Sequence, residues 1–371
     1  MKKILYVTTV SGTINAFLVP HIEMFIKEKG YKVDVACCIN SEINKRLIDL
    51  GVNVYRIAFS RNPLASNNIK AIKEIQNLVE KEKYDIVHVH TPVAAFVTRL
   101  ALRDFKDIKI VYTAHGFHFY KGAPVLNWGV YYPLEKIAAK WTDKLITINT
   151  EDFNKAKSKF KNKRCEVFKI SGIGIDLEEY SNKKLDLDFK KSLGLKETDI
   201  VITVIAELIK RKNHKQIIDT LVGMKSKENI KILFVGRGIL TEELKKYVKE
   251  KNLDKNIIFL GFRTDVEKII SITDIIGLFS YQEGLPRNLM EGMAQGKPII
   301  CTNIRGNNDL VVDGENGMLV EIENVQETIN KLEKMIASKE LREKMEKKSL
   351  EKIEKYKIEN VLDEMDIIYD L

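Results

Sequence analysis

The stretch Ser280–Thr302, SYQEGLPRNLMEGMAQGKPIICT, decides how the chain is read. The apolar run Ile275–Phe279 ahead of it reads as a buried strand. Gly284 and Pro286 break that strand and open a helix, with the proline near the first helical position. Leu289, Met290, Met293 and Ala294 form the inward face, and Gly296 closes the helix. Lys297-Pro298 then turns into a second strand, Pro298–Thr302. A strand, a glycine turn and a helix N-terminus leave backbone N–H groups and a partial positive charge facing outward, a seat for a phosphate or a sugar hydroxyl. Glu283 and Glu291, in the spacing E-x7-E, can accept hydrogen bonds from such hydroxyls. Taken singly, each also reads as an ordinary solvated helix charge.

The same alternation runs outward in both directions. In the second half, strands read at Ile200–Ala206, Ile230–Val235 and Ile257–Leu260. In the first half they read at Lys3–Thr9, Lys32–Cys38, Asn53–Ala58, Asp85–His90, Lys109–Ala114 and Lys144–Ile148. Helices read between them, at about Ile14–Lys29, Ser41–Leu50, Asn68–Lys83, Pro92–Arg103, Leu126–Lys140 and Glu151–Lys159. Buried runs separated by amphipathic helices mean β-α units and parallel sheets. The expectation is α/β: two doubly wound domains, whose ligands bind at the carboxyl ends of the strands. The periodicity breaks near Ser171–Asp188. This sets domains at 1–180 and 181–355, followed by a C-terminal helix at 356–371.

Composition narrows the class. A chain of 371 residues, 44% hydrophobic, holds two or three globular domains. No apolar run is long enough to span a bilayer. The short run after Lys2-Lys3 reads as a first buried strand rather than a leader. Cys37, Cys38, Cys165 and Cys301 show neither C-x-x-C nor metal spacing, which suits a reduced cytosol. The net charge of +9 is uneven. Residues 1–170 carry 28 Lys and Arg against 16 Asp and Glu, a net of +12, whereas residues 171–371 carry 33 against 36, a net of −3. The excess suits an anionic partner of the N-terminal half, a membrane surface or a diphosphate, and equally a generally lysine-rich proteome. No usual nucleic-acid motif is present.

Several loops carry candidate chemistry. Ser11-Gly12-Thr13 is a turn at the end of the first strand. HVHTP, residues 88–92, places His88 and His90 on one face of a strand with no third metal ligand evident. YTAHGFHFYKGAP, residues 112–124, puts His115 and Gly116 at a strand end, followed by His118 and Lys121. These aromatics and histidines suit a sugar, and they also suit a core. Gly236-x-Gly238 ends another strand.

The run E-G-L-P-R-x-x-x-E-G-M-A-x-G-K-P resembles the donor-site signature of the family 4 glycosyltransferases. These are retaining enzymes of the GT-B fold, in which two Rossmann-like domains face a cleft and the last helix crosses back onto the first domain. The resemblance spans the chain, and TINAFLVPHI, residues 13–22, is similar to a subgroup that builds bacterial surface glycans. It implies a retaining hexosyltransferase with a UDP-sugar donor, an N-acetylated hexosamine by preference, and a polyprenyl-diphosphate-linked glycan acceptor. The implied place is the inner face of the plasma membrane, with no metal or other cofactor.

Residue by residue, the resemblance puts His115, Glu283 and Lys212 at the reacting centre. It gives the donor to Gly12, Arg211, Lys212, Gly236, Phe262, Arg263, Glu283, Gly284, Leu285, Pro286, Arg287 and Glu291. Of these, Glu291 would hold the ribose and Glu283 the sugar. His21, His118 and Lys121 fall on the acceptor side. One departure stands out. In VITVIAELIKRKNH, residues 201–214, Glu207 occupies the place of the family's diphosphate-binding Arg, so Arg211 is expected to supply that charge. The D-x-D at Asp186–Asp188 falls in the linker and reads as chance. Two other readings stay open: a UDP-sugar epimerase of the same fold, and a non-catalytic sugar-nucleotide-binding partner.

Overall fold

The computed structural model describes residues 2–62, 65–180 and 185–370. The chain forms two compact units. Unit 1 comprises Met1–Gly174 and Ile358–Leu371, and unit 2 comprises Ile175–Lys357. The divisions therefore fall six residues before 180/181 and two after 355/356.

Among the described residues, unit 1 is built on one parallel sheet. Its strands are β1 (Lys3–Val10), β2 (Lys32–Cys38), β3 (Val54–Arg56), β4 (Ile86–His90), β5 (Lys109–Ala114), β6 (Lys144–Thr147) and β7 (Glu166–Lys169). Their spatial order is β3-β2-β1-β4-β5-β6-β7. The central strands are apolar and buried on both faces: Ile4, Leu5, Val7, Val87, Val89, Ile110 and Val111 are almost fully covered. That is the pattern of a sheet sandwiched by helices. The last helix, Ile358–Asp370, belongs to this unit: Val361, Met365 and Tyr369 are buried, and the Tyr369 hydroxyl donates to Tyr6 Oη at 3.0 Å.

Unit 2 repeats the plan with β8 (Ile200–Ile205), β9 (Ile230–Val235), β10 (Ile257–Gly261), β11 (Ile275–Leu278), β12 (Ile299–Thr302) and β13 (Gly317–Val320), in the order β10-β9-β8-β11-β12-β13. In each sheet the winding reverses once, between β1 and β4 and between β8 and β11. Crevices for ligands open at the carboxyl ends of strands at such reversals.

Three local readings change. Gly12 does not sit in an open turn, because β1 runs straight into helix at Ser11–Thr13 and the Gly12 N–H points at Asn40 Oδ1, 3.4 Å away. The helix expected over 14–29 is a wide π turn, Ile14–Leu18, followed by α-helix at Val19–Lys27. Pro20 has no N–H to give the regular ladder, which accounts for the irregular turn before it. The helix expected over 41–50 is only Lys45–Asp49, because Asn44 caps it by accepting from the Arg46 N–H at 3.0 Å.

Candidate functional site

In unit 2 the loops leaving β8 and β11 lie side by side at the reversal point. The Tyr281 N–H donates to Arg211 O at 2.9 Å and ties one loop to the other. Across this join, Lys212 Nζ donates to Glu283 Oε1 at 2.5 Å. Arg211 donates to Gln282 O at 2.9 Å and stands 3.6 Å from Glu283 Oε2. Glu283 is buried, while the Arg211 side chain is partly exposed. From the end of β12, the buried Arg305 donates through Nε to Glu283 O at 3.1 Å. The next residue, Gly306, has φ +82°, and a Cβ there would lie 2.4 Å from Gly284 O. Only glycine lets the β12 loop press this closely on the β11 loop.

The helix that follows runs Arg287–Ala294, with Pro286 as its extended N-cap. Among the described residues, the Gly284 and Leu285 N–H groups have no hydrogen-bond partner. Asn288 Nδ2 fastens the helix start to β8 by donating to Ile205 O at 2.7 Å. One turn further on, Glu291 Oε1 accepts from Arg287 Nε and from the Tyr180 hydroxyl, each at 3.0 Å. Burial raises the Glu291 carboxyl above its ordinary pKa, and Arg287 and Tyr180 pull in the opposite direction.

Gly236 and Gly238 follow β9. Gly236 has φ +145°, and its Cβ would fall 2.0 Å from Ala206 O. At Gly238 the Cβ would fall 2.4 Å from Leu208 O. The G-x-G turn therefore lies backbone to backbone on the β8 loop. Phe262, after β10, is 65% exposed, with the Arg237 guanidinium 5.3 Å from its ring centre. Arg263 is engaged by Asp265 through bonds of 2.8 and 2.6 Å. Glu207 is exposed. Asp186 caps the helix Leu187–Ser192 by accepting from the Phe189 N–H, which gives the D-x-D a local structural role.

At the join of the β8, β11 and β12 loops, Arg211 and Lys212 meet the Glu283 carboxylate and Arg305 its carbonyl, while at the helix start Arg287 pairs with Glu291. Arg211, Lys212 and Arg305 gathered around Glu283, beside unpaired backbone N–H groups, suit a diphosphate. Arg305 and Tyr180 escaped the sequence reading. For Arg305 the available signal was a charged residue followed by glycine at a strand end. For Tyr180, 111 residues from Glu291, there was none.

Unit 1 presents a different set. At the β4 end, Thr91 has φ +65°, an outlying conformation for a β-branched residue. It is held by Thr9, through the Thr9 N–H at 3.0 Å and the hydroxyl at 2.7 Å. Behind it, four of the chain's six histidines gather. His88 bonds Thr113 Oγ1 at 2.8 Å and the Tyr369 hydroxyl. His90 Nδ1 lies 2.9 Å from His115 Nε2. The buried His21 bonds Ile173 O at 3.1 Å. Burial, helped by the neighbouring imidazoles, holds His88 and His90 well below the ordinary histidine range and His115 at about 4. All are therefore neutral near pH 7. The His118 ring packs on Tyr131 with 4.6 Å between ring centres, and Lys121 is exposed with its N–H on Glu151. No three of His, Cys, Asp or Glu share a metal geometry among the described residues.

Two doubly wound parallel sheets of the same strand order in one chain define the GT-B architecture. Comparison with known proteins agrees. Residues 186–352 match the glycosyl transferases group 1 family, and residues 3–149 match the glycosyl transferase 4-like family. EpsD of Bacillus subtilis (strain 168), named provisionally as a glycosyltransferase, is 33% identical over 99% of this chain and 96% of its own. The Escherichia coli UDP-Gal:alpha-D-GlcNAc-diphosphoundecaprenol alpha-1,3-galactosyltransferase is 34% identical over 75% of each chain. The fold is shared with Anabaena HepE, crystallised with UDP and glucose, at a TM-score of 0.80 and 18% identity over the whole of both chains. The chain belongs to the family 4 glycosyltransferases and is a glycosyltransferase.

Proposed function

We propose that the chain transfers a sugar from a UDP-sugar, with retention at the anomeric carbon, to a polyprenyl-diphosphate-linked glycan in bacterial surface-glycan assembly. The observation that carries this reading is the Lys212–Glu283 pair, set among Arg211, Arg287 and Arg305 where the winding of the unit 2 sheet reverses. As the bond from the sugar C1 to the distal phosphate oxygen breaks, charge grows on that phosphate. Lys212, Arg211 and the Gly284 and Leu285 N–H groups stabilise it, each fixed donor contributing about 3 kcal/mol. The acceptor hydroxyl adds to C1 on the face the phosphate leaves, and its proton passes to a departing phosphate oxygen. No protein nucleophile is needed. Glu283 orients the sugar hydroxyls, Glu291 the ribose, and His115 a hydroxyl of the reacting sugar.

The relative named for UDP-Gal and a diphosphoundecaprenol acceptor supports the uridine donor and the lipid-linked acceptor. The preference for an N-acetylated hexosamine rests on the subgroup resemblance. The test is a product assay with a panel of UDP-sugars and a GlcNAc-diphosphoprenol acceptor, with the new anomeric configuration read by NMR. An α-linked product from an α-donor supports retention, and a β-linked product contradicts it. Full activity in excess chelator is expected, and activity restored only by added metal would overturn the metal-free mechanism.

Such an acceptor lies in a membrane, and the site of action we propose is its cytoplasmic face. No described helix is long and apolar enough to cross a membrane. The helix Val125–Ala138 of unit 1 exposes Val125 (87%), Leu126 (74%), Val130 and Ile137. Its exposed flanking charges, Lys121, Lys136 and Lys140, are all cationic, and its one acid, Glu135, is buried on Arg99. An apolar face rimmed by lysines suits the interface of an anionic bilayer. Flotation with phosphatidylglycerol vesicles is expected to exceed that with zwitterionic ones and to fall in Leu126→Asp. Equal flotation would contradict the membrane reading.

A further inference from the structure

The pair His90–His115 carries one more conclusion, which rests on the reading of His115 as a sugar-facing residue. We infer that His90 is a positioning residue that fixes the tautomer of His115, with its own Nδ1–H donating to His115 Nε2. The His115 proton is thereby placed on Nδ1, and His115 acts as a hydrogen-bond donor rather than a base.

The geometry leaves two arrangements. The nitrogens, His90 Nδ1 and His115 Nε2, are 2.9 Å apart, so one proton lies between them. Each neutral ring has a single N–H. If His115 supplied that proton, the His90 proton would have to sit on Nε2. That atom is buried and has no partner. An orphaned buried N–H is rarer in folded proteins than an acceptor lacking a donor. If His90 supplies the proton, only a lone pair is left at its Nε2. The second arrangement is therefore favoured, and it fixes the His115 proton on Nδ1. Among the described residues, His115 Nδ1 has no partner, and His115 is only partly buried.

The His90 ring is held so that it cannot offer another edge. It stacks on Tyr6, with ring centres 5.7 Å apart and planes 13° apart, and lies 4.1 Å from the His88 ring. His88 in turn uses both nitrogens, on Thr113 and on Tyr369 of the last helix. Tyr369 also donates to Tyr6. The floor under His90 is thus a closed set of bonds running from β1, β4 and β5 to the C-terminal helix. The depressed basicity of both rings keeps them neutral near pH 7.

The test labels histidine with 15N in the full chain and reads the two ring nitrogens of His115, assigned by its loss in His115→Ala. The inference expects the protonated-nitrogen signature on Nδ1 in the unmodified protein. In His90→Ala it expects a shift towards the Nε2–H form that a free imidazole prefers. An Nε2–H signature in the unmodified protein would overturn it, and that spectrum decides even if His90→Ala fails to fold. A tautomer unchanged in a folded His90→Ala would overturn it equally. In turnover, His90→Ala should lower kcat about tenfold with donor KM little changed, the size of one hydrogen bond made in the transition state. His90→Asn, which places an amide N–H at the δ position, should restore most of that loss, and His90→Gln, whose amide reaches the ε position, should not. Equal rescue by both would reduce His90 to packing. A correct tautomer together with full activity in His115→Ala would instead refute the sugar-facing reading of His115.

Discussion

The two units wind their strands in the same order, yet they furnish the reversal point in opposite ways. In unit 2 it carries full charges: Lys212 on Glu283, Arg211 and Arg305 beside them, and Arg287 on Glu291. In unit 1 it carries neutral imidazoles and hydroxyls: His88, His90, His115, Thr9 and Thr91. One scaffold thus supports either an electrostatic seat or a hydrogen-bonding one. The difference matches the tasks proposed for them: a phosphate leaving group needs charge held in place, whereas a sugar hydroxyl needs directed donors and acceptors.

The largest effects should follow from removing fixed charge in unit 2. Lys212→Ala should lower kcat about 10²- to 10³-fold, the usual loss for one preorganised donor to a developing anion. Steady-state kinetics with the donor identified by the panel checks this, and a loss below about tenfold would mean that Lys212 does not face the leaving group. Glu283→Gln sharpens the comparison because its two effects should diverge. Turnover should fall about a hundredfold with the loss of sugar orientation. Free UDP should bind at least as tightly, since the carboxylate no longer offsets Lys212 and Arg211. Weaker UDP binding in a folded Glu283→Gln would place Glu283 in a supporting role instead.

Acid should then separate the units. Four histidines of unit 1 and His214 of unit 2 are held below their ordinary pKa by desolvation, His115 and His214 at about 4. The unfolded chain takes up protons near pH 6.5 that these groups refuse in the folded chain, His115 and His214 down to about 4. The stability these groups contribute is therefore complete above that upper value and is lost as pH falls through the window. Amide exchange at pH 7 and pH 5 should show β1, β4 and β5 losing more protection than β8, β11 and β12. Equal loss would remove the distinction between the units. The smallest effect is that of Arg211→Ala, on a side chain 42% exposed. The donor KM should rise several-fold with little change in kcat, and an unchanged KM would leave the charge missing at Glu207 without a substitute.

Much of this plan could be read in the residues. The central strands announced themselves because a strand buried on both faces is a continuous apolar run, as at Ile230–Val235 and Lys109–Ala114. Two edge strands did not. β7 is EVFK, exposed at both ends and half-buried between them, and β13 is the four residues GMLV. These two take their identity from the neighbouring strand rather than from composition. The site was legible to a similar degree. Glu283, Glu291 and Lys212 were recognisable by motif, but that Lys212 meets Glu283 across 71 residues depends on β8 lying beside β11. Arg305 and Tyr180 belong to the site through tertiary contact alone. Gly12 reads as a loop because nothing local distinguishes a glycine turn from the first turn of a helix.

The central claim is that unit 2 seats a uridine-diphosphate sugar with Glu291 on its ribose. The most direct measurement is calorimetric titration of the full chain with UDP-, GDP- and ADP-sugars, repeated on Glu291→Ala. The account predicts that a UDP-sugar binds, that GDP- and ADP-sugars bind at least tenfold more weakly, and that the binding is lost in a folded Glu291→Ala. Binding of none of them, or UDP-sugar binding untouched by the substitution, would contradict it.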